Sequence, residues 1–252
     1  VEALSEPAIV IAAAAPGERD RLVTFLTQAQ GAVKLYARRP RRGQPGALFI
    51  EPLQGGELSF SRPREGARAK LVSFVPQRVW PGVRADLGRL LHAQAFLELV
   101  TLFATEGEPQ PELFALLVAF LNRLETEARP GLARIAAALQ LLQAGGFAPS
   151  LDACVGCRAP VSAGTGVLLS PDAGGVLCRA CLGGRHDATI PVTPGAHGLM
   201  VRALTLPPAQ ARRLRVGAAV EREVARLLDA FVEARTGVRP RCGAYLEALA
   251  AG

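Results

Sequence analysis

Several things are missing from this chain, and each absence removes a class of function. The apolar run AIVIAAAA (Ala8–Ala15) is far too short to span a bilayer. Glu2 and Glu6 precede it, where a secretory leader carries basic residues. Cysteine is scarce, and four of the five cysteines are clustered, which does not suit the disulfide framework of a secreted domain. A soluble, cytoplasmic protein is the expectation. Histidine occurs only at His92, His186 and His197, scattered along the chain. Walker A, H-E-x-x-H, G-x-S-x-G and Rossmann signatures are all absent, which argues against the commonest nucleotide, hydrolase and zinc-protease chemistries. Lys34 and Lys70 are the only lysines and neither stands in a K-x-D-G context, which argues against a DNA ligase. No catalytic residues are expected.

What is present bounds the answer further. Half of the 252 residues are apolar, so the chain can bury a sizeable core. The net charge of +7 is unevenly spread: residues 1–84 hold 13 Lys/Arg against 7 Asp/Glu, and residues 85–252 hold 16 against 15. A basic N-terminal third beside a nearly neutral remainder is the footprint of a polyanion-binding region. The preference for arginine over lysine carries no weight, because a GC-rich coding bias explains it equally well.

The first 80 residues read as short strands at Ala8–Ala15, Leu22–Leu26, Ala32–Ala37, Ala47–Leu53 and Ala69–Val75. Pro16-Gly17, Gly31, Pro45-Gly46, Gly55-Gly56 and Arg64-Glu65-Gly66 supply the turn signals between them. This spacing fits a small closed barrel such as an OB-fold, and an SH3-like barrel gives a similar pattern. From Ala85 the apolar period becomes helical, with Leu87, Leu90, Leu91, Ala95 and Leu99, then Leu113–Leu124 after Pro111, then Leu132–Leu142 after Pro130. A Pro/Gly-rich connection through Pro191, Pro194 and Gly195 should lead to a helix after Pro207-Pro208. That helix carries Val216, Val220, Val224, Leu227, Leu228 and Phe231 and ends near Gly237, with a short helix from Cys242 to Ala250 behind it. The expected class is α+β: an OB-fold β-barrel (1–80), a helical domain (81–149), a four-cysteine zinc ribbon (150–188) and C-terminal helices packing on the helical domain (189–252).

Cys154 and Cys157 form one C-x-x-C pair, and Cys178 and Cys181 a second, with 20 residues between the pairs. This is the spacing of a four-thiolate zinc site, in which two knuckles close a tetrahedron. The insert GTGVLLSPDAGGVL reads as a hairpin turning at Pro171–Gly175. One structural Zn²⁺ per chain is expected, and four thiolates leave no open position for water or substrate. A redox pair would need one C-x-x-C beside a βαβ pattern that is missing here. Two disulfides or free thiols are the other readings. Arg158, Arg179 and Arg185 could offset the negative charge of the thiolates, and His186 could substitute as a ligand. Cys242 reads as a packing residue and His92 as packed or solvated.

The stretch AVKLYARRPRRG carries the sharper hint. From Arg21 to Ile50 there are six cations and no acid. Strand alternation over Ala32–Arg38 places Val33, Leu35 and Ala37 on one face and Lys34, Tyr36 and Arg38 on the other. Cation, aromatic, cation suits single-stranded nucleic acid, with phosphates on the charges and a base on the ring. Arg39, Arg41 and Arg42 extend the patch, and Arg62, Arg64, Arg68 and Lys70 add to it from a neighbouring hairpin. The plainer reading is a charged strand edge that prevents aggregation. The charge asymmetry and the barrel class together favour nucleic acid.

The order of barrel, helices, ribbon and C-terminal helix resembles the bacterial recombination mediator family RecO. GERDRLVTFLT (Gly17–Thr27) and GAVKLYARRPRR (Gly31–Arg42) resemble its first strands. LLQAGGFAPSLDACVGC (Leu141–Cys157) resembles its "G-x-x-P-x-L-x-x-C-x-x-C" segment. GGVLCRAC (Gly174–Cys181) is similar to its second knuckle, and FVEARTGVRPRCGAYL (Phe231–Leu246) to its closing segment. The chain departs at Arg42-Gly43-Gln44 and at Arg241-Cys242-Gly243, where the family often has lysine-serine pairs. The resemblance implies a protein that binds single- and double-stranded DNA and anneals complementary strands. It also implies that the protein partners with RecR and acts on single-stranded-DNA-binding protein so that RecA can load. The rival reading is an OB-fold and zinc-ribbon protein of RNA or translation.

Overall fold

The computed structural model describes residues 3–14, 20–38, 49–61, 69–162, 166–182, 188–206 and 214–251. Two compact units make up the chain, one of residues 1–86 and 97–125, the other of residues 87–96 and 126–252.

The first unit is built on five antiparallel strands: β1 (Ala3–Ala14), β2 (Asp20–Thr27), β3 (Gly31–Arg38), β4 (Gly55–Ser61) and β5 (Leu71–Arg78). Their order in the sheet is β3-β2-β1-β4-β5. The two outer strands, β3 and β5, also lie against each other, which curls the sheet into the cyclic order β1-β2-β3-β5-β4 of an OB-fold barrel. Alternation decides what goes inside. Val23 and Phe25 of β2, Val33, Leu35 and Ala37 of β3, Leu58 and Phe60 of β4, and Phe74 of β5 share one buried cluster. The Phe25 and Phe74 rings meet at 5.2 Å in a tilted contact across it.

The fourth strand is not where the apolar run Ala47–Leu53 places it. Residues 49–54 are irregular, and β4 begins at Gly55-Gly56, the pair read above as a turn. Leu53 is apolar because it is wholly buried in a left-handed conformation (φ 64°), not because it belongs to a strand. Its N–H donates to the Val10 carbonyl at 3.1 Å, and the Val10 N–H donates to the Gln54 carbonyl at 2.8 Å. These bonds meet β1 where its pairing with β2 slips a residue between Val10 and Ala12. Gly56 starts a strand because the β5 backbone at Val75 and Pro76 lies where a Cβ would stand.

Helix α1 (Pro81–Arg84) follows the barrel, then α2 (Leu87–Phe103), α3 (Pro111–Leu124) and α4 (Pro130–Ala144). Proline opens α3 and α4, as their sequences predict. Residues 87–96 of α2 belong to the second unit and its remainder to the first.

In the second unit β6 (Val167–Ser170), β7 (Gly175–Leu177) and β8 (Ile190–Val192) form a three-stranded antiparallel sheet in the order β7-β6-β8. A 3₁₀ turn spans Arg179–Leu182. Two elements differ from the sequence reading. Pro191 sits in edge strand β8, a place that tolerates its missing N–H. The expected connection at Pro194-Gly195 is the start of α5 (Pro194–Thr205). Its first-turn Ala196 N–H is capped by the Thr193 hydroxyl at 3.2 Å, and Ala196, Leu199, Met200 and Ala203 are buried. The glycines at 195 and 198 dilute that stripe. Helix α6 (Ala218–Thr236) ends at Gly237 in the left-handed conformation, as expected, although Val216 precedes it. Residues 207–213, where that helix was expected to start, lie outside the described residues. Helix α7 (Cys242–Ala251) closes the chain. Among the described residues no helix is long and apolar enough to cross a membrane.

Candidate nucleic-acid interface and metal centre

Strand β3 pairs along one edge with β2, from Gly31 opposite Thr27 to Arg38 opposite Asp20. Val33, Leu35 and Ala37 are buried, which turns Lys34 and Tyr36 outward; the tyrosine is 48% exposed. Arg38 is the last residue of the strand. Lys70 is exposed on a separate hairpin, where its backbone closes the base of β4–β5. The Ser61 N–H donates to the Lys70 carbonyl, and the Lys70 N–H donates to the Ser61 hydroxyl, each at 2.9 Å. Arg39, Arg41, Arg42, Arg62, Arg64 and Arg68 lie outside the described residues.

Two cations of the basic stretch meet acids from elsewhere in the chain. Arg21 lies 4.0 Å from Glu51, and the Lys34 ammonium lies 3.3 Å from the Glu106 carboxylate. The second pair had no signal in the sequence, because nothing local links Glu106 to β3.

The four cysteines converge. Cys154, Cys157, Cys178 and Cys181 place their sulfurs within 4.8 Å of one another, with Cys154 buried and Cys157 exposed. The Cys157 and Cys178 sulfurs are 3.8 Å apart. Sulfurs bound tetrahedrally to Zn²⁺ at about 2.3 Å stand about 3.8 Å from each other, so the cluster is the right size for one ion. Backbone N–H groups of Gly156 and Cys178 donate to Cys154 Sγ at 3.4 and 3.3 Å, as they would to a thiolate. Burial alone would raise the Cys154 pKa, but N–H groups from Cys157, Cys178 and Gly156 outweigh it and bring the thiol down to about 6. Cys181 is pushed up to about 12, mainly by its hydrogen bonds to the sulfurs of Cys157, Cys178 and Cys154. Such a cluster gives up its first proton easily and its last with difficulty unless a cation arrives. The set can hold a metal ion, and its donors and spacing suit zinc.

The local fold explains how the sulfurs are presented. After the first knuckle the Arg158 N–H donates to the Cys154 carbonyl at 2.8 Å, and the left-handed conformation of Arg158 (φ 61°) turns the chain back so that the Ala159 carbonyl accepts from the Cys154 N–H at 2.9 Å. In the second, the Cys181 N–H donates to the Cys178 carbonyl at 3.1 Å. Two side chains not foreseen from sequence tie the ribbon to helices of its own unit. His197 of α5 is buried, and its Nε2–H donates to the Leu151 carbonyl at 2.7 Å. Arg235 of α6 donates to the carbonyls of Pro171 and Asp172 at 2.6 and 2.7 Å. His186 and Arg185 lie outside the described residues.

His92 is packed, as expected of it. Burial, aided by the nearby Arg134 charge, lowers its pKa to about 3. It lines a cavity with Arg134, Ile135, Arg222, Arg226 and Leu246. Arg134 is only 3% exposed and pairs with Asp229 at 3.6 Å, while its Nε finds no partner.

Comparison with known proteins agrees over nearly the whole length. Residues 2–73 match the model for Recombination protein O N terminal, and residues 84–241 the model for Recombination protein O C terminal. The "DNA repair protein RecO" of Anaeromyxobacter dehalogenans is 34% identical over 245 residues, covering 96% of this chain and 94% of that protein. The protein of the same name from Desulforudis audaxviator is 32% identical over 246 residues, covering 96% of this chain and 95% of its own. The one from Pelobacter propionicus is 36% identical over 176 residues, covering 69% and 70% respectively. Two family models that together match most of its length, and relatives more than 30% identical over nearly all of it, show that this chain belongs to the recombination protein O (RecO) family.

Proposed function

We propose that this protein is a DNA repair and homologous recombination mediator that acts in the cytoplasm by binding and not by catalysis. It captures single- and double-stranded DNA on the barrel and anneals complementary strands. With RecR, it helps RecA load onto single-stranded DNA coated by single-strand-binding protein. The observation that carries this reading is the outward face of β3, where Lys34 and Tyr36 stand exposed over a strand whose other face is buried. Cations along this face neutralise phosphates while the tyrosine ring offers a stacking surface. Arg38, Arg39, Arg41 and Arg42, next in the sequence, and Arg62, Arg64, Arg68 and Lys70 are the further cations this reading assigns to DNA. Two phosphate backbones screened by one basic surface can approach closely enough to pair.

The cysteine cluster holds one structural Zn²⁺ through Cys154, Cys157, Cys178 and Cys181. When bound, the ion supplies four bonds that fix the ribbon and no open coordination position. The acidic tail of single-strand-binding protein needs cations beside apolar surface. We place it at the cavity of Arg134, Arg222, Arg226, Ile135 and Leu246, whose lining also carries Glu221, Asp229 and Glu247, so the tail's acids must displace Glu247 from Arg226, 3.4 Å away. An RNA-binding role is the alternative, and a preference for structured RNA over single-stranded DNA would favour it.

The test is annealing of complementary strands coated with single-strand-binding protein, comparing wild type with Lys34→Glu/Arg38→Glu. Fast annealing by the wild type and its loss in the variant is the expected result. Fast annealing by both would move the DNA site away from β3. A wild type that does not anneal would overturn the mediator reading.

A further inference from the structure

We propose that Glu106 is a built-in competitor for the phosphate that Lys34 receives, and that it sets how readily the barrel lets go of DNA. The inference rests on the placement of DNA along β3 made above.

The approach of Glu106 to Lys34 is built into the backbone of the first unit. The Ala32 N–H donates to the Thr105 carbonyl at 2.8 Å, and the Gly107 N–H donates to the Gln30 carbonyl at 3.0 Å. Glu106 thereby bridges to both Gly31 and Ala32 at the start of β3. Gly31 takes φ 60°, and a Cβ there would overlap the carbonyl oxygens of Thr105 and Glu108. Only glycine permits so close an approach. The far side of the loop is pinned as well. The Gln110 carboxamide accepts from the Thr105 N–H at 2.7 Å and donates to the Phe103 carbonyl at 3.0 Å. Glu106 is therefore presented to β3 by fixed backbone on both sides.

Its effect follows from charge. The basic stretch from Arg21 to Ile50 contains no acid of its own, and Glu106 brings one to it from a distant loop. Both members of the pair are more than half exposed, so the pair is weak and opens readily. A phosphate arriving at Lys34 must displace the carboxylate, and the carboxylate stands ready to take the lysine back. Affinity is lowered and release is quickened. An annealing protein gains from this, since it must leave the duplex it has made.

Anisotropy of a labelled oligothymidylate, read across a salt series, tests the inference. Lys34→Gln weakens binding, whereas Glu106→Gln tightens it about two- to five-fold at low salt, the range of an exposed ion pair. That gain shrinks as salt screens the pair. It vanishes in the Lys34→Gln background, and Glu108→Gln, the same charge change two residues away, does not reproduce it. If Lys34→Gln binds as the wild type does, the placement of DNA on β3 fails. If Lys34→Gln weakens binding and Glu106→Gln has no effect, the competitor fails. It fails too if the gain persists without Lys34 or equals that of Glu108→Gln.

Discussion

The two units of this chain fill their interiors differently. In the unit of residues 1–86 and 97–125 the buried side chains are almost all apolar, Thr24 and Thr27 being the buried polar ones among the described residues. The unit of residues 87–96 and 126–252 buries Arg134, His197 and Cys154, and sinks His92 far enough to keep it neutral. It also holds all three histidines and all five cysteines of the chain. An apolar interior depends on little except temperature and denaturant. An interior that includes a cysteine cluster able to hold a metal ion, an imidazole and an ion pair is open also to the effects of metal and pH. The comparison teaches that the surface proposed for DNA is carried by the less condition-sensitive unit.

The strongest way to break that contrast is to remove the metal. The ribbon's sheet is short, and the apolar side chains it buries among the described residues are Val167, Leu169, Val176, Leu177 and Val192. Structural zinc in small modules contributes about 10–16 kcal/mol of binding free energy near neutral pH, at least as much as the roughly 10 kcal/mol that these five side chains supply together at about 2 kcal/mol each. Chelation, or Cys154→Ala, should abolish amide-exchange protection in β6 and β7 while β1–β5 keep theirs. Arg235 and His197 fasten the ribbon to α6 and α5, so partial loss in those helices is expected as well. Hydrogen exchange with and without chelator reads both. Equal loss of protection in β1–β5 would show that the units share one metal-dependent stability.

Acid gives the next largest effect. His92 has a folded pKa near 3 against an ordinary value of 6.5, because burial and then Arg134 disfavour its charged form. Between those values the unfolded chain holds a proton that the folded chain does not, so stability falls as pH drops through this window. It is full above about 6.5, and the slope is about 1.4 kcal/mol per pH unit. Urea unfolding between pH 7 and 5 should show this loss in the second unit, and His92→Gln should flatten it. The first unit has no histidine and should hold its stability until its carboxylates titrate.

How far the sequence disclosed these units also differed. The cysteine cluster was legible because a site able to hold a metal ion fixes residue type and spacing together. The inward face of β3 was legible because alternation is strict there. β4 was misread because GGELSFS opens with two glycines and offers only Leu58 and Phe60 to the core. Helix α5 was missed because Pro194, Gly195 and Gly198 hide a buried stripe that Thr193 caps. The contacts of Glu106, Arg134, His197 and Arg235 left no trace in sequence, since each joins residues far apart in the chain. Pairings of that kind follow from tertiary packing alone.

The smallest effect separates the regions most sharply, because both use the same backbone device. Arg158 in the ribbon and Leu53 in the barrel unit each take the left-handed conformation that glycine adopts freely. That costs a side chain about 1–2 kcal/mol, partly offset because glycine loses about 0.5–1 kcal/mol more entropy on folding. Arg158 is exposed, and its N–H bond to Cys154 survives replacement. Arg158→Gly should therefore stabilise the ribbon by about 0.5 kcal/mol and slow metal release to a chelator. Leu53 is 1% exposed, so Leu53→Gly loses about 2–3 kcal/mol of burial and should destabilise its unit despite the relief. Urea midpoints moving in opposite directions would tie each region's strain to what its side chain does. If both variants stabilise, the burial of Leu53 is worth less than its conformation costs, and the apolar interior does not dominate the stability of the barrel.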